Sequence, residues 1–219
     1  MKKTVFVIVI LFIGLAAGCT RIENIGGVKG SGNAKTESRN VSGFKEIKAE
    51  NAVELEITVQ KDFSLTIEAD DNLLEKIKTE VSGNTLKIST KENITSKNKI
   101  KIKVSLPELT KLDISGASKA NISGVKTDSL KLNASGASKI KVDGEVKSLE
   151  AIASGASGID AENLKTENAK ANSSGASNIT VSPTGELDAE ASGASSVTYT
   201  GEPKNIKQNA SGASTIKKK

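Results

Sequence analysis

The chain has 219 residues, no histidine, one cysteine, 2% aromatic residues and a formal net charge of +5 at pH 7. The missing histidines and the single cysteine exclude histidine-based acid–base catalysis, the usual zinc sites and internal disulfides. The small positive excess is spread along the chain and includes only two arginines, whereas nucleic-acid sites cluster basic and aromatic residues. We therefore expect no nucleic-acid partner, no cofactor, no bound metal and no enzymatic activity.

The N-terminus has the three parts of a secretory signal. Residues 1–3 are basic at two positions, residues 4–15 are almost all apolar, and residues 16–18 are small. The apolar run is too short for a comfortable transmembrane helix. The single cysteine, Cys19, follows directly, and the segment resembles a bacterial lipobox, although Ala16 stands where that pattern usually has leucine. We predict a lipoprotein signal peptide over residues 1–18 and lipidation of Cys19, with an ordinary signal peptide as the alternative.

Residues 19–40 contain several glycines and no hydrophobic period, which predicts a flexible tether. From residue 41 to residue 109 short apolar–polar alternations predict β-strands, as in the run Val53, Leu55, Ile57 and Val59. Residues 70–77 are the one stretch with helical character, and we expect a short helical turn or a tight connection there. Residues 41–109 are therefore predicted to be a less regular β region.

The sequence Ser-Gly-Ala-Ser (SGAS) occurs six times in the second half of the chain. The copies begin at Ser115, Ser135, Ser154, Ser174, Ser192 and Ser211. A repeat of about 19–20 residues is too short for a helix pair and suits one coil of a β-solenoid. Aliphatic residues recur at fixed distances from each motif, with charged and amide residues between them. The sequence predicts an all-β protein whose N-terminal strands continue into a six-coil parallel β-solenoid over residues 110–219.

The small residues of SGAS are most simply explained as a sharp bend, because glycine takes positive φ without penalty. Three functional alternatives remain: hydroxyl groups that bind glycan, a flat ice-binding face, and a serine nucleophile. A nucleophile needs a base, and the pairs Ser118/Lys119 and Ser138/Lys139 are poorly placed, since adjacent strand residues point to opposite faces. The sequence does not decide whether the serines face inward or outward.

Carboxylates are the other candidate reactive groups. Paired acids can cleave glycosidic bonds, and aspartates can bind calcium. No aromatic platform accompanies the candidates here, so solvated surface charge is the better interpretation. They are Asp70, Asp71, Asp113, Asp143 and Asp160.

Several motifs together resemble one family. Residues 43–47 (GFKEI), 65–74 (LTIEADDNLL) and 83–88 (GNTLKI), followed by the SGAS coils, are similar to head GIN domain proteins, which are called auto-transporter adhesins. The resemblance covers residues 41–219. It implies a predominantly β, solenoid-like lipoprotein of the cell envelope, and it brings no catalytic residue.

These observations predict a secreted protein held by a lipid anchor in the cell envelope, at the outer membrane. The first functional hypothesis is a non-catalytic adhesin or binding module whose repetitive surface contacts glycan or protein. The second is a structural or regulatory envelope protein that binds the cell's own components, for example during envelope stress. The third is an enzyme acting on polysaccharide. Ligand identity and oligomeric state stay open.

Overall fold

A computed structural model describes residues 27–219 of the chain. The predicted signal peptide over residues 1–18 and the predicted lipidation site Cys19 lie outside the described residues. Within residues 27–219 no helix is long and apolar enough to cross a membrane.

The described residues form seventeen strands and one 3-10 helix. The strands of the N-terminal region are β1 (Val28–Lys29), β2 (Ala34–Arg39), β3 (Glu46–Ala49), β4 (Glu54–Val59), β5 (Ser64–Asp70), β6 (Ile77–Ser82), β7 (Thr85–Thr90), β8 (Ile94–Thr95) and β9 (Lys101–Leu106). The 3-10 helix, Asp71–Lys76, lies between β5 and β6 and confirms the predicted helical turn. The remaining strands are β10 (Lys111–Ile114), β11 (Lys119–Ala134), β12 (Lys139–Ala153), β13 (Gly158–Ser173), β14 (Asn178–Ala191), β15 (Ser196–Tyr199), β16 (Asn205–Ala210) and β17 (Thr215–Lys218).

Strands β10 to β17 build the predicted parallel β-solenoid. Each long strand pairs in parallel with the next, from β10 through β14, and the chain continues with β14 pairing β15 and β16 and with β15 pairing β17. Equivalent residues of successive coils are in register, as Leu130 with Leu149 and Leu149 with Ala169. The six SGAS motifs delimit five complete coils, one fewer than the predicted six, because a coil runs from one motif to the next.

The core of the solenoid is a stack of aliphatic side chains. Alternate residues on both sides of the first five SGAS motifs are buried, for example Ile140 and Val142 after one motif and Ala151 and Ala153 before the next. Burying an aliphatic side chain of this size is worth about 1.5–3 kcal/mol. The polar residues between them therefore form the outer surface, in columns that run along the solenoid.

The parallel coils of the solenoid begin before residue 110, where the SGAS motifs predicted the first coil. Strand β3 pairs in parallel with β10, and β4 pairs in parallel with β11, so residues 46–59 form a coil of their own. The register places Glu50–Val53 at the level of the first SGAS motif. Asn51 stands at the glycine position with φ of 79°, and its carbonyl accepts a hydrogen bond from Ala117 N at 2.9 Å. Residues 50–53 are therefore a corner of the same kind in which the motif is no longer recognisable.

The N-terminal end of the solenoid is closed by antiparallel strands. Strand β6 pairs with β7, and β5 pairs with both β9 and β2. At the other end of the described chain, β16 and β17 form the last rung. The two ends of the rod therefore differ, one covered by antiparallel strands and one ending on a parallel rung.

The predicted flexible tether over residues 19–40 is wrong for its C-terminal part. Strand β2 lies within it and pairs with β5 over six residues, and β1 pairs with β8. The guanidinium of Arg39 anchors the end of β2 by donating hydrogen bonds to the carbonyl oxygens of Leu74 and Ile77 at 2.7 and 2.6 Å. The segment is polar because β2 is an edge strand, and its order comes from pairing and from Arg39 rather than from burial.

Candidate functional site

The SGAS motif forms the corner of each coil. Its glycines have φ between 73° and 79°, and its first serine, glycine and alanine lie at the surface. From the second corner onward, the alanine N–H donates to the glycine carbonyl of the preceding corner, at 2.7 Å between Ala156 and Gly136. A β-carbon built on Gly155 would lie 2.8 Å from that carbonyl oxygen. Glycine is therefore required both by the backbone conformation and by the coil stacked beneath.

The second serine points into the molecule in the first five motifs. Ser118, Ser138, Ser157, Ser177 and Ser195 are all at most 3% exposed, whereas Ser214 in the last motif is half-buried. The hydroxyl of Ser157 lies within hydrogen-bond distance of two carbonyl oxygens, those of Ala134 at 2.9 Å and Ser154 at 2.8 Å. These hydroxyls tie each corner to the coil before it. Because Ser118 and Ser138 are buried while Lys119 and Lys139 are exposed, neither serine–lysine pair is arranged for nucleophilic catalysis.

The candidate carboxylates are dispersed rather than brought together. No group of three or more acidic or other metal-ligating side chains forms within residues 27–219. Asp143 accepts a hydrogen bond from Gly124 N at 3.0 Å, and Asp160 contacts Lys141 at 3.9 Å. The side chain of Asp113 lies on the strand before the first SGAS corner, away from both. Asp113, Asp143 and Asp160 therefore do not form a cluster of three acids.

Asp70 is the one fully buried carboxylate among the described residues. Burial opposes its ionisation, but hydrogen bonds from Lys97 N, the Asn98 amide and Ser96 Oγ outweigh burial and lower its pKa below the ordinary value. The neighbouring Asp71 also has a lowered pKa, first because its carboxylate accepts a hydrogen bond from Ser31. The Asp70 carboxylate holds the loop around residues 96–98, and Asp71 holds residue 31. Both acids serve the fold of the N-terminal region.

The strands that follow the corners present a flat outer surface, here called the post-corner face. Two columns of side chains point outward from it. One column is Lys119, Lys139, Gly158, Asn178 and Ser196, and the other is Asn121, Lys141, Asp160, Thr180 and Thr198. Apart from Gly158 and the carboxylate of Asp160, the face is built from lysine, amide and hydroxyl groups, all of which donate hydrogen bonds.

A depression of about 290 Å³ lies in the post-corner face, where Gly158 interrupts the first column. Three lysines border it, and one acid, Asp160, stands beside them. Lys119 contacts Glu54 at 3.9 Å and Lys141 contacts Asp160 at 3.9 Å, both at the limit of an ion pair. Lys139 has no ion-pair partner within 4.0 Å among the described residues. The depression is therefore positively charged and lined with hydrogen-bond donors.

A second concave surface lies on the part of each coil that follows the post-corner face in the chain. We call this surface the charged groove. Its volume is about 730 Å³. Its exposed charges stand in two columns, Lys126–Glu145–Lys165 and Asp128–Lys147–Glu167, and the register places these columns side by side. Lys147 and Asp128 form an ion pair at 2.7 Å, whose hydrogen bond raises the pKa of Lys147. The groove carries equal numbers of opposite charges in these columns.

The sequence singled out the serines and acids but missed both surfaces. The lysines at 119, 139 and 141 and the charges at 126, 145 and 165 are far apart in the chain and look like scattered surface charge. Coil register brings them together. Aligning the coils on their SGAS motifs would have exposed both sets of columns, since outward positions recur at fixed distances from each motif.

The solenoid resembles several solved structures. It matches a "putative adhesin" from Bacteroides fragilis with a TM-score of 0.73 and 24% identity, covering 88% of this chain and 100% of that one. A "putative adhesin" from Parabacteroides merdae matches with a TM-score of 0.62 and 20% identity over 88% and 99% of the two chains. A "putative lipid binding protein" from Parabacteroides distasonis gives 0.56 and 23% over 88% and 99%. At these identities the matches establish a shared fold.

No curated protein matches the chain. A family model does, over residues 43–203, which is most of the chain, and its description is "Putative auto-transporter adhesin, head GIN domain". The match agrees with the resemblance drawn from the GFKEI, LTIEADDNLL and GNTLKI segments and the SGAS coils. Because this model covers most of the chain, the chain belongs to the head GIN domain family.

Proposed function

We propose that this protein is a non-catalytic binding module of the cell envelope that attaches to glycan through its post-corner face. The observation that carries the proposal is the depression at Gly158, bordered by Lys119, Lys139 and Lys141. Membership of an adhesin family supports the general role of ligand binding. The similar solved structures carry the names "putative adhesin" and "putative lipid binding protein", which agrees with a role without catalysis.

The chemistry of the face selects the kind of glycan. Lysine ammonium groups and the amide of Asn178 donate hydrogen bonds, and carboxylates accept them strongly. The face has no aromatic ring on which a neutral sugar could stack, since its columns contain none. A glycan that carries carboxylate groups, such as a polymer of uronic acids, therefore fits the depression better than a neutral one.

Lipidation at Cys19 completes the proposal, because it would hold the binding face at the cell surface. A single acyl chain binds membranes only marginally, and several chains anchor a protein stably. Residues 20–26 would then connect the anchor to β1. Cys19→Ala in the full chain is expected to move the protein from the membrane fraction to the soluble fraction.

A binding screen tests the proposed function. Purified protein is offered acidic and neutral glycans, host matrix proteins and the organism's own cell-wall material, at physiological salt so that weak charge effects are screened. The proposal expects saturable binding to acidic glycan. It also expects K139E/K141E to abolish that binding and K111E/K170E to retain it, since the latter pair makes the same change of net charge on the strands before the corners.

Each other result has a distinct meaning. Binding only to the organism's own material would favour the structural or regulatory envelope role. Release of sugar fragments during incubation would favour the polysaccharide-acting enzyme. Binding that K139E/K141E and K111E/K170E weaken equally would contradict the post-corner face as the site.

A further inference from the structure

The charges of the charged groove form a checkerboard. Along the column Lys126–Glu145–Lys165 the sign alternates from coil to coil, and along the column Asp128–Lys147–Glu167 it alternates in the opposite order. Each coil therefore contributes one positive and one negative side chain, and the two signs change columns from one coil to the next. Lys45 paired with Glu108 borders this pattern on one side, and the uncharged Ser182 and Thr184 border it on the other.

Pairing within the chain does not use up these charges. Opposite charges on neighbouring strands attract, which is a sufficient reason for the single ion pair between Lys147 and Asp128 at 2.7 Å. No ion pair within 4.0 Å involves Lys126, Glu145, Lys165 or Glu167 among residues 27–219. All six side chains of the checkerboard are exposed. Four of the six charges are thus available to a partner.

The checkerboard is complementary to itself in one orientation. If two copies face each other about a two-fold axis parallel to the solenoid axis, each column meets the other column at the same coil. Lys126 then faces Asp128 of the second copy, and the coils above add Glu145 with Lys147 and Lys165 with Glu167. All six contacts of this symmetric pair join opposite charges.

The antiparallel orientation has the opposite result. A two-fold axis across the solenoid places each column against itself with the order of coils reversed. Lys126 then faces Lys165, Asp128 faces Glu167, and the central residues face their own copies, so every contact joins like charges. Like charges placed together suppress an arrangement strongly. The pattern therefore favours two copies with their N-terminal ends on the same side.

We propose that the charged groove is an interface between two copies of this chain, arranged side by side and parallel. Three coils at about 4.8 Å spacing form a small contact, well below the ~800 Å² per partner typical of stable complexes. The pair is therefore weak in dilute solution and forms at high local concentration. With both N-termini on one side, the pair is compatible with attachment to one membrane, and two post-corner faces would then bind a polymeric ligand together.

Charge reversal tests the interface with the purified full chain in sedimentation equilibrium over a concentration series. We expect wild-type protein to associate reversibly, and high salt to weaken the association. K126E/K165E and D128K/E167K should each raise the dissociation constant about tenfold or more, because each converts contacts between opposite charges into contacts between like charges. An equimolar mixture of the two variants should associate again, since their charges are then complementary.

The orientation has its own readout. A carbodiimide joins an amine directly to a carboxylate in contact with it, and mixing isotope-labelled with unlabelled chains separates bonds between copies from bonds within one copy. The parallel pair predicts bonds between copies from residue 126 to 128 and from 165 to 167. A chain that stays monomeric at every concentration, or variants that associate as well as wild type, would overturn the proposal. Because K139 and K141 lie on another face, glycan binding by K126E/K165E tests the proposed function separately.

Discussion

Replacing a corner glycine should destabilise the protein in two ways, through its backbone conformation and through its contact with the neighbouring coil. Gly155 has φ of 75°, and a β-carbon there would lie 2.8 Å from the carbonyl oxygen of Gly136. Gly43 has φ of 76° and is also exposed, but a β-carbon there would meet nothing within 4 Å. The pair of substitutions Gly155→Ala and Gly43→Ala therefore separates the cost of the backbone conformation from the cost of stacking.

The expected magnitudes follow from these contacts. A left-handed conformation costs alanine about 1–2 kcal/mol, and this is the whole expected effect of Gly43→Ala. Gly155→Ala carries the same cost and must also move the Gly136 carbonyl, which accepts the 2.7 Å hydrogen bond of Ala156 N. Weakening that bond adds about 1 kcal/mol, so we expect a total loss of about 2–3 kcal/mol.

Urea unfolding measures both values. Circular dichroism follows the strands, and the fluorescence of Tyr199, the single tyrosine and only 9% exposed, follows the C-terminal coils. Coincidence of the two transitions establishes that the solenoid unfolds as one unit, which repeat proteins do not always do. Equal losses for the two substitutions, within about 0.5 kcal/mol, would refute the stacking argument.

Three further predictions concern the corners, the buried acid and the anchor. Ser157→Ala should cost about 0.5–1.5 kcal/mol of unfolding free energy because it removes a buried hydroxyl hydrogen bond. Ser154→Ala, at the half-buried first position of the same motif, should change the unfolding free energy little, and equal effects would contradict the assignment. Asp70 has a pKa below its ordinary value, so its ionised carboxylate stabilises the folded state at any pH above the ordinary aspartate pKa. This stabilisation is lost as the pH falls through the lowered pKa. Wild-type stability should therefore fall below about pH 4 more steeply than that of Asp70→Asn, and parallel thermal-midpoint curves would argue against this role. Cys19→Ala should release the protein from the membrane fraction, and unchanged fractionation would exclude lipidation there.

The architecture of the C-terminal half was predictable because one motif recurs wherever the geometry recurs. Each SGAS glycine meets the same two demands, a positive φ and a carbonyl stacked beneath, and so the residue does not vary among the six corners. The SGAS motif did not predict the corner at residues 50–53, because this corner does not stack on another corner of the same kind. On that side it adjoins the longer connection between β7 and β9. Asn51 can take positive φ there, and Val53 replaces the buried serine.

Other features depend on contacts between segments that are distant in the chain. The second serine of the SGAS motif points inward because the chain turns within the motif. That turn breaks the strict alternation of inward and outward side chains along a strand. Strand β2 looks like a linker in the sequence because only its pairing with β5 orders it. The two surfaces arise from coil register, which sequence spacing gives only approximately because the coils vary between 18 and 20 residues.

Hydrogen exchange of the protein with a saturating acidic glycan, identified in the binding screen, tests whether the post-corner face binds the glycan. We expect the glycan to slow exchange in residues 139–141, 158–160 and 178–180, where the outward columns border the depression at Gly158. Exchange in the charged groove should change little at concentrations where the chain is monomeric. Protection confined to the groove or to the SGAS corners, with the post-corner face unchanged, would contradict the account.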